Sequence, residues 1–118
     1  MSMGAIQPNI ADLDVTPVWK RLCTLAEIPH LGSRVVRSAV GDIAVFRTDD
    51  DEVFAVHDKC PHKGGPLSQG IVHGKTVTCP LHGWKIDLAN GEAVAPDVGC
   101  TRQFRVKVED SLVWLALG

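Results

Sequence analysis

The 118-residue chain predicts an all-β fold, a β-sandwich or small barrel. Three features carry that expectation: short β-branched runs, turn residues at the breaks between them, and a run near the C-terminus that alternates apolar with charged residues. The runs cover 18–25, 34–40, 42–48, 52–57, 71–73, 75–78, 85–87, 104–109 and 112–117. Gly41-Asp42, Asp49-Asp50-Asp51, His73-Gly74, Asn90-Gly91 and Asp110-Ser111 punctuate them with residues that adopt turn geometry readily. Residues 25–28 read as a single helical turn before Pro29. In 104–109, Phe104, Val106 and Val108 alternate with Arg105, Lys107 and Glu109, the pattern of a strand with one solvated face. Between Lys59 and Trp84 the texture changes, because Pro61, Gly64, Gly65, Pro66, Gly70, Gly74, Pro80 and Gly83 leave little room for long regular elements.

The length fits one domain, assigned here to residues 15–118, with residues 1–14 as a flexible N-terminal arm lacking apolar periodicity. A net charge of −2 lacks the basic excess that phosphate neutralisation requires, so nucleic acid is not expected as a partner. No run approaches the ~20 apolar residues of a membrane span, and the N-terminus lacks the pattern of a secretory leader, so no membrane and a cytoplasmic location are expected. Four cysteines are too few for a disulfide scaffold; a short Cys/His cluster more often means metal.

Two segments carry the chemistry: Cys60-Pro61-His62-Lys63-Gly64 and Cys79-Pro80-Leu81-His82-Gly83-Trp84. Each places a thiol and an imidazole close together on a loop, with 16 residues between His62 and Cys79. Such a mixed set of two sulfurs and two nitrogens suits either tetrahedral zinc or a cluster in which two cysteines bind one iron and two histidines the other. Zinc sites more usually draw a cysteine pair from one element and a histidine pair from the next. Here each loop gives one of each, so two loops can clamp a diamond-shaped Fe2S2 core from opposite sides. Proline after each cysteine fixes φ, and the glycines permit close backbone approach, leaving amides free to hydrogen-bond bridging sulfides.

The sequence C-P-H-K-G-G-P-L-S-x-G followed by C-P-L-H-G-W-x-I-D resembles the Rieske [2Fe–2S] domain. The resemblance implies a small β domain with both cluster-binding loops at one tip. By it, Cys60 and Cys79 ligate the inner iron, and His62 and His82 the outer iron near the surface. A tighter resemblance, through V-F-A-V-H-D-K ahead of the first loop, Trp84 in the second and G-C-T-R at 99–102, is to the small subunit of bacterial NAD(P)H-dependent assimilatory nitrite reductase. It implies an electron-transfer subunit in complex with a large subunit that bears siroheme, FAD and a [4Fe–4S] cluster and reduces nitrite to ammonium. Two other roles are open: the Rieske ferredoxin component of a ring-hydroxylating oxygenase, and a cluster-free structural subunit. High-potential respiratory members carry an extra cysteine in each loop, and a Ser and Tyr that donate hydrogen bonds to sulfur. Leu81, Trp84 and Ile86 stand at three of those positions, so a potential toward the lower end of the Rieske range is expected.

Other polar or reactive residues read first as structural. Cys23 follows the register of Trp19, Arg21 and Leu25 and reads as core or half-buried. Cys100 reads as structural against a redox or partner role, and His57 as structural against a hydrogen-bond partner of the site. His30 and His73 read as solvated, and Trp84 as a packing shield rather than an electron conduit. Lys59, Lys63 and Lys75 are expected to give the tip positive charge, as a solvated face or as a dock for an acidic partner.

Overall fold

The computed structural model describes residues 18–61, 63–81 and 83–116. The proposed arm, 1–14, lies outside them. The strands are β1 (Trp19–Thr24), β2 (Ser33–Ser38), β3 (Gly41–Arg47), β4 (Val53–His57), β5 (Ile71–His73), β6 (Thr76–Thr78), β7 (Lys85–Asp87), β8 (Gln103–Phe104), β9 (Val106–Glu109) and β10 (Leu112–Ala116). The fold is all-β, and every strand pairing is antiparallel. Three sheets form, ordered β1-β10-β9, β2-β3-β4-β8 and β5-β6-β7. Among the described residues two 3₁₀ turns, Leu25–Glu27 and Leu67–Gln69, accompany the strands; the first falls where a helical turn is expected. No helix among the described residues is long and apolar enough to cross a membrane.

Strand β3 explains how the sheets stack. Ile43, Ala44, Val45 and Phe46 are consecutive and all fully buried. Successive strand side chains point to opposite faces, so an unbroken buried run requires apolar cover on both. On one face Ile43 and Val45 join Cys23, Ile28, Ala55, Val113 and Leu115; on the other Ala44 and Phe46 join Val56, Leu67, Val72, Val77, Ile86 and Leu88. The β3–β4 register, with Ala44 opposite Val56 and Val45 opposite Ala55, assigns neighbouring residues of both strands to different cores. Each large apolar side chain buried in this way contributes roughly 1.5–3 kcal/mol relative to exposure.

Two details depart from the simple strand pattern. The run expected over 104–109 is divided at Arg105: β8 pairs with β4, and β9 pairs with β10. The chain passes there from one sheet to another, tying the layers together at a corner. Val108, on the edge strand β9, is 37% exposed, so the expected apolar face is incomplete. In β1 the register shifts between Arg21 and Cys23, so the inward series passes through a bulge rather than strict alternation. Cys23 is nonetheless buried, as expected.

Candidate metal centre

Strand β4 leads into residues 60–65 and strand β6 into residues 79–84, so the strand order delivers both cysteines to the same end of the domain. The two loops are closed in the same way. The Cys60 amide donates to the Gly65 carbonyl at 2.8 Å, and the Gly64 amide to the Cys60 carbonyl at 2.8 Å. In the second loop the Cys79 amide donates to the Trp84 carbonyl at 2.7 Å, and the Gly83 amide to the Cys79 carbonyl at 3.1 Å. Each loop therefore reverses over the four residues that follow its cysteine. The fourth of these has a left-handed φ, +70° at Gly64 and +74° at Gly83, which a side chain would strain.

Both thiols are held in the apolar core rather than at its rim. Cys60 is 3% exposed and Cys79 2%, in the same cluster as Phe46, Leu67 and Ile86. The loops meet through Gly65: a Cβ there would stand 2.7 Å from Leu81 Cδ1 and 3.1 Å from Cys79 Sγ. Only a bare backbone lets the first loop approach the second sulfur so closely. A third loop, residues 94–99, closes another side. Gly99 packs where a Cβ would meet Pro61 at 3.0 Å and Trp84 at 3.7 Å, and the Val94 amide donates to the Lys85 carbonyl at 2.8 Å.

The exit of the first loop is pinned by a pair that sequence reasoning assigns no role. Asp58 accepts from the Ser68 amide and hydroxyl, both at 2.7 Å, and the Ser33 hydroxyl donates to the Ser68 carbonyl at 2.8 Å. This clamps the 3₁₀ turn at Leu67 to strand β2. An Asp and a Ser flanking a nine-residue segment are the only sequence signal for it. The third loop gave less, since its residues carry no distinctive chemistry.

The remaining candidates sort cleanly. His62 and His82 lie outside the described residues. His57 Nε2 lies 2.6 Å from the Val40 carbonyl and its ring packs on Phe104, so it braces the β2–β3 turn. His30 pairs with Asp49 in solvent, and His73 sits exposed between Thr76 and Thr78. Trp84 is half-buried against the core, as a shield would be. Cys100 is exposed, opposite Glu92 on an isolated bridge. The expectation for Lys75 is corrected: it lies at the other end of the domain, where its Nζ pairs with Glu52 at 3.1 Å. It precedes β6, and the length of that strand separates it from Cys79. Lys59 and Lys63 are exposed beside the first loop.

Two buried thiols on matched loops, at one end of stacked antiparallel sheets, define the class as a small all-β domain built around paired cysteine loops. The chain belongs to the Rieske [2Fe–2S] domain family, whose profile matches residues 18–105. It is 40% identical over 88 residues to the 4β-methylsterol monooxygenase of Methylococcus capsulatus, an alignment covering 65% of this chain and 24% of that protein. The chain thus spans about a quarter of that relative's length. It is 35% identical over 98 residues to the ferredoxin subunit of a 3-phenylpropionate/cinnamic acid dioxygenase from Photorhabdus laumondii, covering 81% of this chain and 91% of that one. A crystal structure described as the small subunit of an NADPH nitrite reductase superposes with a TM-score of 0.74 at 27% identity, covering 83% of this chain and 97% of that one.

Membership implies a [2Fe–2S] cofactor, and the described residues fit one. Soft thiolate donors suit iron and sulfide, both thiols are withdrawn from water, and the cradle at Gly65 opens directly onto one of them.

Proposed function

We propose that Cys60, His62, Cys79 and His82 hold a Rieske [2Fe–2S] cluster, and that the chain is the cytoplasmic electron-transfer subunit of an NAD(P)H-dependent nitrite reductase. In that assembly the large subunit carries siroheme, FAD and a [4Fe–4S] cluster and reduces nitrite to ammonium. The observation that supports this assignment most directly is near end-to-end correspondence with the crystal structure described as a nitrite reductase small subunit, 97% of which is matched. The sequence around the loops, from Val53 through Arg102, points the same way.

The bound cluster supplies reversible one-electron chemistry. The chain's own residues fix where that chemistry occurs. Cys60 and Cys79, set in the core, hold sulfur donors in fixed positions with little reorganisation on a change of charge. Gly65 lets the first loop seat on Cys79 Sγ, and Leu81 covers the same spot from outside. Pro61, Trp84 and Gly99 exclude water from a further side. The Asp58–Ser68 pair holds the first loop to the body of the domain.

A ferredoxin serving a ring-hydroxylating oxygenase is the second reading, supported by the 35% identity to the dioxygenase ferredoxin subunit. Anaerobic purification from the native host separates the two. Co-elution with a siroheme flavoprotein and NAD(P)H-dependent nitrite reduction by the complex are expected. A soluble chain that supports oxygenase turnover instead overturns the assignment. Full nitrite reduction by a Cys60→Ser complex would assign the chain a structural, cluster-independent role.

A further inference from the structure

We propose that the loop-bearing end of the domain docks an acidic protein surface, with Lys59, Lys63 and Lys85 surrounding an apolar centre made by Val98 and Leu81. The proposal rests on the reading that electrons pass through this end.

The apolar centre is unusual for a small surface. Val98 is 86% exposed, above every other large hydrophobic residue among those described, and Leu81 is 54% exposed. Both lie on loops that close this end of the domain. Val98 adjoins Gly99, which packs on Pro61 and Trp84 of the two cysteine loops, while the Leu81 side chain lies over Gly65. Exposed apolar groups within a polar rim mark protein contact sites, where the centre carries affinity and the rim excludes water and selects the partner.

The rim is cationic. Lys59 and Lys63 flank the first loop, and Lys85 follows the second and anchors the third through its carbonyl. Among the described residues none of the three forms an ion pair, whereas Lys75 and Arg47, toward the other end, pair with Glu52 and Asp51 at 3.1 and 2.9 Å. Two carboxylates lie nearby and offset part of this charge. Asp58 is turned inward onto Ser68, and Asp97 is half-buried in a hollow of about 250 Å³ that it shares with Lys85. The opposite end carries Asp49, Asp50, Asp51 and Glu52 in succession. A chain of net charge −2 therefore presents a positive end and a negative end, and an approaching acidic surface is steered to the positive one. Three lysines around an apolar centre suit a protein contact better than a phosphate backbone, which rewards many cations and no apolar core.

The test uses the full chain with its cluster, reduced by dithionite, with two protein oxidants of opposite charge: acidic cytochrome b5 and basic cytochrome c. In each case the reduced cluster gives one electron to a ferric haem. The double variant Lys63→Glu/Lys85→Glu is expected to slow the reaction with cytochrome b5 by about tenfold at low ionic strength and to speed that with cytochrome c, both effects fading with added salt. Val98→Ser is expected to slow the cytochrome b5 reaction a few-fold without changing its salt dependence. Lys20→Glu, on β1, is expected to change neither rate by more than about twofold. Equal responses from the double variant and Lys20→Glu overturn the proposal. So does a charge reversal that only abolishes self-association, or only abolishes binding to anionic phospholipid vesicles or duplex DNA. A chain purified without iron–sulfur absorbance counts against the electron-transfer reading alone. Docking is then read from carbodiimide cross-linking to cytochrome b5: cross-links through Lys59, Lys63 and Lys85 support it, and cross-links through Lys20 or Lys107 overturn it.

Discussion

The two cores on either face of strand β3 are built from the same kinds of residue, yet they end differently. The core against β1 and β10 is closed by paired strands and contains one cysteine, Cys23, as an apolar filler whose burial pushes its thiol up from the ordinary value. The core against β5, β6 and β7 runs out of strands before it runs out of apolar side chains. Its last members are Cys60 and Cys79, and loops close it. Neighbours along β3 thus face different cores, Val45 the one closed by paired strands and Phe46 the one that also contains Cys60 and Cys79. A cluster held by these loops, as proposed, would be an extension of packing, with sulfur donors where further aliphatic groups would otherwise stand.

Cysteine replacement separates the cores most sharply. Cys60→Ser or Cys79→Ser is expected to abolish the cluster, read as loss of the visible and low-temperature EPR signals and of bound iron and sulfide, because a hydroxyl is a poor ligand for iron in this setting. Cys23→Ser is expected to lower stability and leave the iron content unchanged. Retention of a full cluster by either loop variant would remove the distinction. Cavity-forming changes come next. Phe46→Ala should cost ~3–5 kcal/mol and also hasten cluster loss, whereas Leu115→Ala should cost ~2–5 kcal/mol and leave cluster lifetime unaltered under native conditions. Chemical unfolding and the decay of cluster absorbance under a chelator measure the two effects separately. Gly65→Ala probes the junction of the loops. Its methyl would fall 2.7 Å from Leu81 and 3.1 Å from Cys79 Sγ, so the cluster should be lost several-fold faster. Adding Leu81→Ala should restore part of that lifetime, since the leucine is the nearer obstruction. No rescue would place the conflict at the sulfur.

The sequence made the strands and the cysteine loops legible for physical reasons that did not extend to everything around them. Strand positions follow from β-branched runs and turn residues, both local, and their boundaries agree to within a residue or two for most elements. The change of sheet at Arg105 left no trace, because the side-chain pattern of an extended chain is the same whichever neighbour it pairs with. Cys60 and Cys79 announced themselves through proline and glycine spacing. Lys75 misled because its position depends on Glu52, a partner distant in sequence that only the tertiary fold brings within reach. Gly99 stood out only within the G-C-T-R segment of the resemblance, and its contact with the cysteine loops was not legible because its part there is to lack a side chain. Ile86, at a position where the resemblance places a sulfur-directed hydroxyl in high-potential members, is fully buried. The reduction potential should accordingly fall toward the lower end of the family span of about −150 to +300 mV, and a redox titration giving a value near the upper end would contradict that reading.

The smallest expected effect lies at the rim of the first core and tests whether that region responds to protons while the cysteine loops stay intact. The Thr24 amide donates to Glu27 Oε1 at 2.8 Å, and the Thr24 hydroxyl lies 3.3 Å from the same oxygen. These contacts, the backbone one first, hold the Glu27 carboxyl below its ordinary value near 4.5, with Arg34 adding a weaker pull in the same direction. A carboxyl lowered in the folded state binds its proton more readily when the chain unfolds. Its contribution is therefore complete above the unfolded value and fades as pH falls through the lower, folded one. Glu27→Gln should reduce the urea midpoint slightly at pH 7, and the difference from wild type should shrink steadily below pH 4.5. Because Glu27 is exposed, the whole effect stays close to the resolution of the unfolding measurement. A difference that persists unchanged to pH 3 would mean that the side chain acts through its shape and amide-like hydrogen bonding rather than its charge, and the rim would then be no more proton-sensitive than the core it encloses.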